Sequence, residues 1–184
     1  MLILLNGPPG VGKSTLAQLY VDDHPMALNL DIDRIRALLG RWQDRPLDAG
    51  LLARDLALAM TRAHLAAGHD VVIPQFLGRV AFIEQLERLA VETAATFREV
   101  VLLDTKDNVL RRFAQRSATS PRHEHGDADA LLEREGGEPA LAGMYDRLLE
   151  IIRERPSARI VTCEEGKPRQ TYRTLLRVLE HTLD

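Results

Sequence analysis

The chain has a single cysteine, Cys163, among 184 residues, which excludes an internal disulfide and fits a reducing compartment. A lone thiol near a strand end reads first as a small buried apolar side chain. No apolar run approaches the ~18 residues that a membrane span requires. The opening residues lack the basic flank and long apolar stretch of a signal peptide, so a cytoplasmic protein without membrane contact is expected. Nor is there an excess of one charge. Lys and Arg number 24 against 27 Asp and Glu, a net charge of −3, which provides no whole-chain basic field for holding long nucleic acid. Nothing in the composition sets an oligomeric state.

What is present is an ordinary globular composition, 45% apolar and 28% charged, with enough length for one domain over residues 1–184. Five short apolar runs, LILLN (2–6), MALNL (26–30), DVVIP (70–74), REVVLLD (98–104) and ARIVTC (158–163), read as strands. Most are apolar almost throughout, as in strands covered on both faces. Helical patterns fill the intervals at 13–22, 33–39, 48–67, 79–94, 105–117, 138–154 and 168–182. Asp48 is placed to cap the long third helix and Gly68 to close it, while Asp104 or Thr105 is placed to cap the fifth. Strand–helix alternation of this kind implies an α/β fold, a parallel sheet with helices on both faces. The segment SATSPRHEHGDADA (117–130) has no clear period and reads as a lid or as a surface loop.

The sharpest motif lies directly after the first run. GPPGVGKS, Gly7 to Ser14, matches G-x-x-x-x-G-K-[ST] between a strand and an amphipathic helix. Gly7, Gly10 and Gly12 let successive backbone N–H groups point at phosphate oxygens. Lys13 meets the β- and γ-phosphates, the Ser14 hydroxyl can hold Mg²⁺, and the helix N-terminus favours an anion. Gly7, Pro8, Pro9, Gly10, Val11, Gly12, Lys13, Ser14 and Thr15 therefore form the expected nucleoside triphosphate site.

Two classes that share this loop lack their other signatures here. A guanine-nucleotide switch needs N-K-x-D and D-x-x-G; TKDN (105–108) lacks the aspartate of the first, and no D-x-x-G follows VVI. A motor ATPase needs an apolar run ending in acids, whereas DVVIPQF ends in Pro74 and Gln75, and VVLLD supplies only Asp104. A kinase has positive support in LNLDIDRIR (28–36), where Asp31 and Asp33 follow the second strand and Arg34 and Arg36 come next. That strand end faces the same crevice as the phosphate loop. One carboxylate there can accept a proton from an attacking hydroxyl, and another can orient Mg²⁺ or its waters. The bland alternative makes Asp33 a helix cap and leaves Asp31 exposed.

On these residues the chain resembles the small P-loop kinases related to polynucleotide kinase, zeta toxin, chloramphenicol phosphotransferase, shikimate kinase and gluconate kinase. The resemblance covers nearly the whole chain, with the phosphate loop its most specific part. It implies a three-layer P-loop fold of the nucleoside-monophosphate-kinase type, a five-stranded parallel sheet in the order 2-3-1-4-5, and ATP and Mg²⁺ as cofactors. Asp31 and Asp33 match the D-x-D of shikimate kinase, implying metal binding for Asp31 and contact with the acceptor hydroxyl for Asp33. NLDIDRIR is similar to the polynucleotide kinase stretch that carries a general-base aspartate and a substrate-binding arginine, roles that fall on Asp33 and Arg36. LRRFAQRS resembles the R-x-x-x-R of the lid, implying that Arg112 stacks on the base and Arg116 reaches the transferring phosphate. VVIPQFLGR departs from the V-V-I-D-x-T-N of the polynucleotide kinase branch; Gln75 and Arg79 stand as candidate acceptor contacts instead.

Trp42 is the only tryptophan and falls where these kinases bind acceptors, with packing under a loop as its plain alternative. His123 and His125 lack a third convergent ligand for a metal and read as part of the lid. CEEGKP (163–168) falls where the relatives run a loop beside the adenine. The expected activity is transfer of the ATP γ-phosphoryl group to a hydroxyl of a small acceptor: a metabolite, a nucleoside or nucleotide, or an antibiotic. A 5′-hydroxyl polynucleotide kinase and a nucleotide-binding regulator or toxin-like protein without turnover are the alternatives.

Overall fold

The β-branched and leucine-rich runs form five strands: β1 Leu2–Asn6, β2 Leu28–Asn29, β3 Val71–Pro74, β4 Phe97–Leu103 and β5 Arg159–Thr162. In the computed structural model, which describes residues 1–119 and 136–180, they make one sheet in the order β2-β3-β1-β4-β5. Every pairing is parallel, with Leu2 opposite Val71 on one side of β1 and Phe97 on the other. The expected strand order and sheet type are both present.

Helices α1 Lys13–Asp23, α2 Ile32–Ala37, α3 Pro46–Ala66, α4 Val80–Glu92, α5 Lys106–Thr119, α6 Glu138–Glu154 and α7 Pro168–Glu180 carry the crossovers, with a short 3₁₀ turn at Trp42–Asp44. Successive side chains of a strand point to opposite faces, and β1 divides its leucines and isoleucine accordingly. Leu2 and Leu4 join Ile35, Ala53, Ala57, Ile83 and Leu86 under α2, α3 and α4. Ile3 and Leu5 join Leu16, Tyr20, Tyr172 and Leu175 under α1 and α7. Each fully buried Leu or Ile stabilises the sheet by roughly 1.5–3 kcal/mol relative to exposure. A third, smaller cluster of Val109, Phe113 and Leu141 holds α5 against α6.

The boundary chemistry differs from expectation at two helices. α3 starts before Asp48, at Pro46, whose fixed φ is already helical, and Asp48 instead pairs back to Arg45 at 2.7 Å. α2 is capped by Asp31, whose Oδ1 accepts from the N–H of Asp33 at 2.9 Å. The cap is therefore two residues earlier than Asp33. Gly68 closes α3 as expected, with φ at 84°. At the start of α5, Thr105 Oγ1 accepts from Asn108 N at 3.3 Å, and Asp104 Oδ1 accepts from Thr105 N at 2.7 Å.

Candidate active site

Because all five strands run the same way, their C-terminal ends open on one edge, and the strand order decides what stands beside what. From the β2 side inward come Asp31 and Asp33, then Gln75 after β3, then the phosphate loop after β1, then Asp104 after β4 and Cys163 after β5. A parallel sheet of this kind binds its ligand in the crevice outside those ends.

The loop has the shape its glycines require. A Cβ on Gly7 would lie 2.7 Å from the Leu102 carbonyl oxygen and 2.9 Å from Val11 Cγ1, so no larger residue fits. Gly12 has open space around it, but its φ of 106° demands glycine on backbone grounds. Lys13 Nζ donates to the carbonyls of Gly7 at 2.9 Å and Pro8 at 3.0 Å, which draws its ammonium across the loop. α1 has no side-chain cap, and its first backbone bond runs from Leu16 N to Gly12 O. Among the described residues no side chain caps this end of α1, and Ser14 and Thr15 are exposed. A curled backbone, an ammonium at its mouth and an uncapped helix N-terminus fit a triphosphate, with Ser14 as the hydroxyl available to its Mg²⁺.

On the β2 side, Arg36 Nη2 lies 3.0 Å from Asp33 Oδ1. The Arg36 guanidinium carbon sits 4.7 Å from the centroid of the Trp42 ring. Trp42 is itself buried at 8% exposure, so it packs under Arg36 and serves as its platform. Asp33 remains 38% exposed and is thereby held in one orientation without being removed from solvent. Burial, and then the neighbouring charge of Asp33, raise the Asp31 carboxyl above the usual aspartate range, against the pull of its cap bonds.

Gln75 lies between these groups and the loop. Its N–H donates to Leu5 O at 3.2 Å, and its Oε1 is buried with no hydrogen-bond partner among the described residues. Arg79 is exposed at the start of α4. On the far side, Arg112 pairs with Asp104, while Asn108 donates to Asp104 Oδ1 at 2.8 Å and Tyr145 to the Asp104 carbonyl, also at 2.8 Å. Cys163 is buried, and its thiol is pushed up to about 11 chiefly by burial, with the charges of Arg112, Asp104 and Lys13 felt nearby. The side chain of Arg116, His123, His125 and all but the first three residues of the 117–130 segment lie outside the described residues; 117–119 continue α5.

Asn6 is not singled out by the sequence, which marks Asp104 only as a possible helix cap and as the acid ending VVLLD. Asn6, fully buried, binds both the start of the phosphate loop and Leu77, and its signal was a polar residue ending an apolar run. Asp104 is the partner of Arg112, a pairing that eight residues of separation conceal.

The sheet order, the loop and the row of polar groups define a P-loop nucleotide-binding domain with the strand order of the nucleoside-monophosphate-kinase type. Residues 2–134 match the family model described as AAA domain (AAA_33), and the chain belongs to that family. It is similar to the adenylate kinase of Synechococcus sp. (strain WH7803), 33% identical over an alignment of 117 positions that covers 59% of this chain and 64% of that protein. The match thus spans a little under two thirds of that relative. In fold it is similar to a gluconokinase from Sinorhizobium meliloti 1021, with a TM-score of 0.63, 16% identity, and coverage of 97% of this chain and 90% of that one. It is likewise similar to the tunicamycin resistance protein of Deinococcus radiodurans, with a TM-score of 0.61, 18% identity, and coverage of 99% and 96%. These likenesses agree with the small P-loop kinase group that the sequence motifs resemble. Among the described residues no helix is long and apolar enough to cross a membrane.

Proposed function

We propose that this protein is an ATP-dependent phosphotransferase that moves the γ-phosphoryl group to a hydroxyl of a small-molecule acceptor. The observation that carries the reading is the placement of the Asp33–Arg36 pair and the phosphate loop at strand ends flanking the same polar residue, Gln75. A hydroxyl is a poor nucleophile at neutral pH and gains from a carboxylate that takes its proton as the bond to phosphorus forms.

In this reading the triphosphate lies along residues 7–15, and the acceptor lies over β3 between Asp33 and Lys13. The acceptor oxygen attacks the γ-phosphorus, the bond from that phosphorus to the bridging oxygen of ADP breaks, and the acceptor proton passes to Asp33. Lys13 offsets charge on the phosphates, and Arg116 acts on the transferring group. Ser14 would hold Mg²⁺, with Asp31 orienting its waters, and the ion would supply further charge compensation. Arg36 fixes Asp33 and contacts the acceptor. Gln75 Oε1, which has no partner among the described residues, accepts from a second acceptor hydroxyl, and Arg79 stands at the mouth. Arg112 borders the nucleotide base.

A second reading, transfer to a phosphate oxygen of a nucleotide, draws support from the adenylate kinase likeness and from the cation at Arg36. An ATP-consumption screen over sugars and sugar acids, nucleosides, nucleoside monophosphates, 5′-hydroxyl oligonucleotides and hydroxylated antibiotics separates the two. Turnover with a free hydroxyl compound supports the first reading, and turnover confined to nucleoside monophosphates overturns it. ATP binding without turnover on any class supports a regulator.

A further inference from the structure

The Asn6 side chain is completely buried at the junction of the phosphate loop and the β3–α4 loop. Its Oδ1 accepts from Gly7 N at 2.8 Å and from Leu77 N at 2.9 Å, while its Nδ2 donates to Leu77 O at 3.2 Å. The oxygen faces two N–H groups and the nitrogen faces a carbonyl, so only an amide in this orientation satisfies all three. Gly7 opens the triphosphate loop. Leu77, itself buried, is centred between Gln75 and Arg79, the two candidate acceptor contacts of the β3–α4 loop. A leucine or valine, which the preceding apolar run would otherwise continue, offers none of these bonds.

We infer that Asn6 is a positioning residue that couples the nucleotide loop to the acceptor loop, so that ordering of residues 7–15 by a triphosphate orders residues 75–79. The physical basis is the shared acceptor. A rotation of the Gly7 peptide toward bound phosphate reorients the same oxygen that holds Leu77, and the completely buried amide, engaged at both ends by protein groups, has no exposed face through which to absorb the change. Coupling of this kind makes acceptor affinity depend on bound nucleotide, and by linkage the reverse. It favours transfer only when both substrates are present. This inference rests on the proposed kinase reading for the meaning of the two loops, though not for the geometry.

The test is amide hydrogen exchange on the full chain with and without AMP-PNP and Mg²⁺, in the wild type and in Asn6→Asp. The aspartate still accepts from Gly7 N and Leu77 N but cannot donate to Leu77 O, and it sets a negative oxygen against that carbonyl. In the wild type, AMP-PNP is expected to protect 7–15 and also to slow exchange across 75–79 by about tenfold or more. In Asn6→Asp, protection at 7–15 persists and the added protection at 75–79 disappears. With any acceptor found by the screen, kcat/KM for that acceptor falls by about tenfold or more while AMP-PNP affinity changes by less than about threefold. Should Asn6→Asp not fold, the wild-type exchange pattern decides by itself. Protection confined to 7–15 in the wild type overturns the coupling and leaves the kinase reading standing. No protection at 7–15 overturns nucleotide binding and the coupling with it. A variant that loses thermal stability yet keeps the 75–79 response shows Asn6 to be a structural tie alone.

Discussion

Arg112 closes on Asp104 with Nη2 2.6 Å from Oδ2, and the two side chains are only 13% and 7% exposed. The contact is close, yet its alignment is not that of a hydrogen bond, since Asp104 Oδ2 and Arg112 Nη2 both lack a hydrogen-bond partner among the described residues. Charge, more than directional bonding, holds the pair. Removing one member leaves the other buried and uncompensated. Arg112→Ala is expected to cost about 3 kcal/mol in urea denaturation, and Arg112→Ala with Asp104→Asn should recover much of that loss. Additive costs in the double-mutant cycle would show that the pair does not interact as described.

Lys13 is the plainest test of nucleotide chemistry. Its ammonium is held by the Gly7 and Pro8 carbonyls at the mouth of the loop. Lys13→Ala should abolish ATP turnover while the circular dichroism spectrum stays unchanged, because the loop's shape comes from its glycines. Full turnover in this variant removes the kinase reading.

The two aspartates after β2 should separate kinetically. Asp33→Asn is expected to lower kcat by about 10²-fold or more with ATP affinity nearly unchanged, as loss of a general base does. Arg36→Ala, which frees Asp33 from its 3.0 Å partner and uncovers Trp42, should lower kcat and raise KM for the acceptor together. Asp31→Asn is expected to keep kcat at saturating Mg²⁺ and to raise the Mg²⁺ concentration required. Equal loss of ATP binding and folding stability in Asp33→Asn would reduce that residue to a structural role.

Asp31 also predicts a pH dependence of stability. Its carboxyl titrates above the usual aspartate value because burial, then the charge of Asp33, disfavours ionisation. A raised folded-state value means that the native protein binds the proton more tightly than the unfolded chain. This group's contribution is therefore most favourable below the ordinary aspartate range and declines as pH rises through the raised value. Asn is as good a cap as Asp. Asp31→Asn should match the wild type in acid and exceed it at neutral pH, measured by denaturation at a series of pH values. A variant less stable at neutral pH would show the cap charge to be favourable.

Cys163 should be inert in the native state. With its thiol pushed up to about 11 by burial, iodoacetamide at pH 8 is expected to modify it slowly in the folded protein and rapidly in urea. AMP-PNP should leave the native rate low. Fast native alkylation would place the sulfur in solvent.

The phosphate loop, the strands and the sheet type were legible in the chain because each depends on local pattern: glycines at fixed spacing, apolar runs of strand length and helical periodicity between them. The helix boundaries were less so. Pro46 starts α3 ahead of Asp48, and Asp31 takes the cap that Asp33 was weighed for, since capping depends on which backbone N–H groups a short side chain reaches. The site was legible as a set of residue types and only partly as an arrangement. Asp33 and Arg36, one helical turn apart, were bound to share a face, whereas the ring of Trp42 under Arg36 required the chain to turn back at 38–41. The sequence by itself determined a P-loop nucleotide-binding domain, because the loop's glycines and its lysine are written in consecutive residues. Only the tertiary structure decided that Asn6 joins Leu77, that Asp104 holds Arg112 and that the Gln75 oxygen is buried without a partner among the described residues, because those surroundings arise only when separate strand ends are laid side by side in the order 2-3-1-4-5.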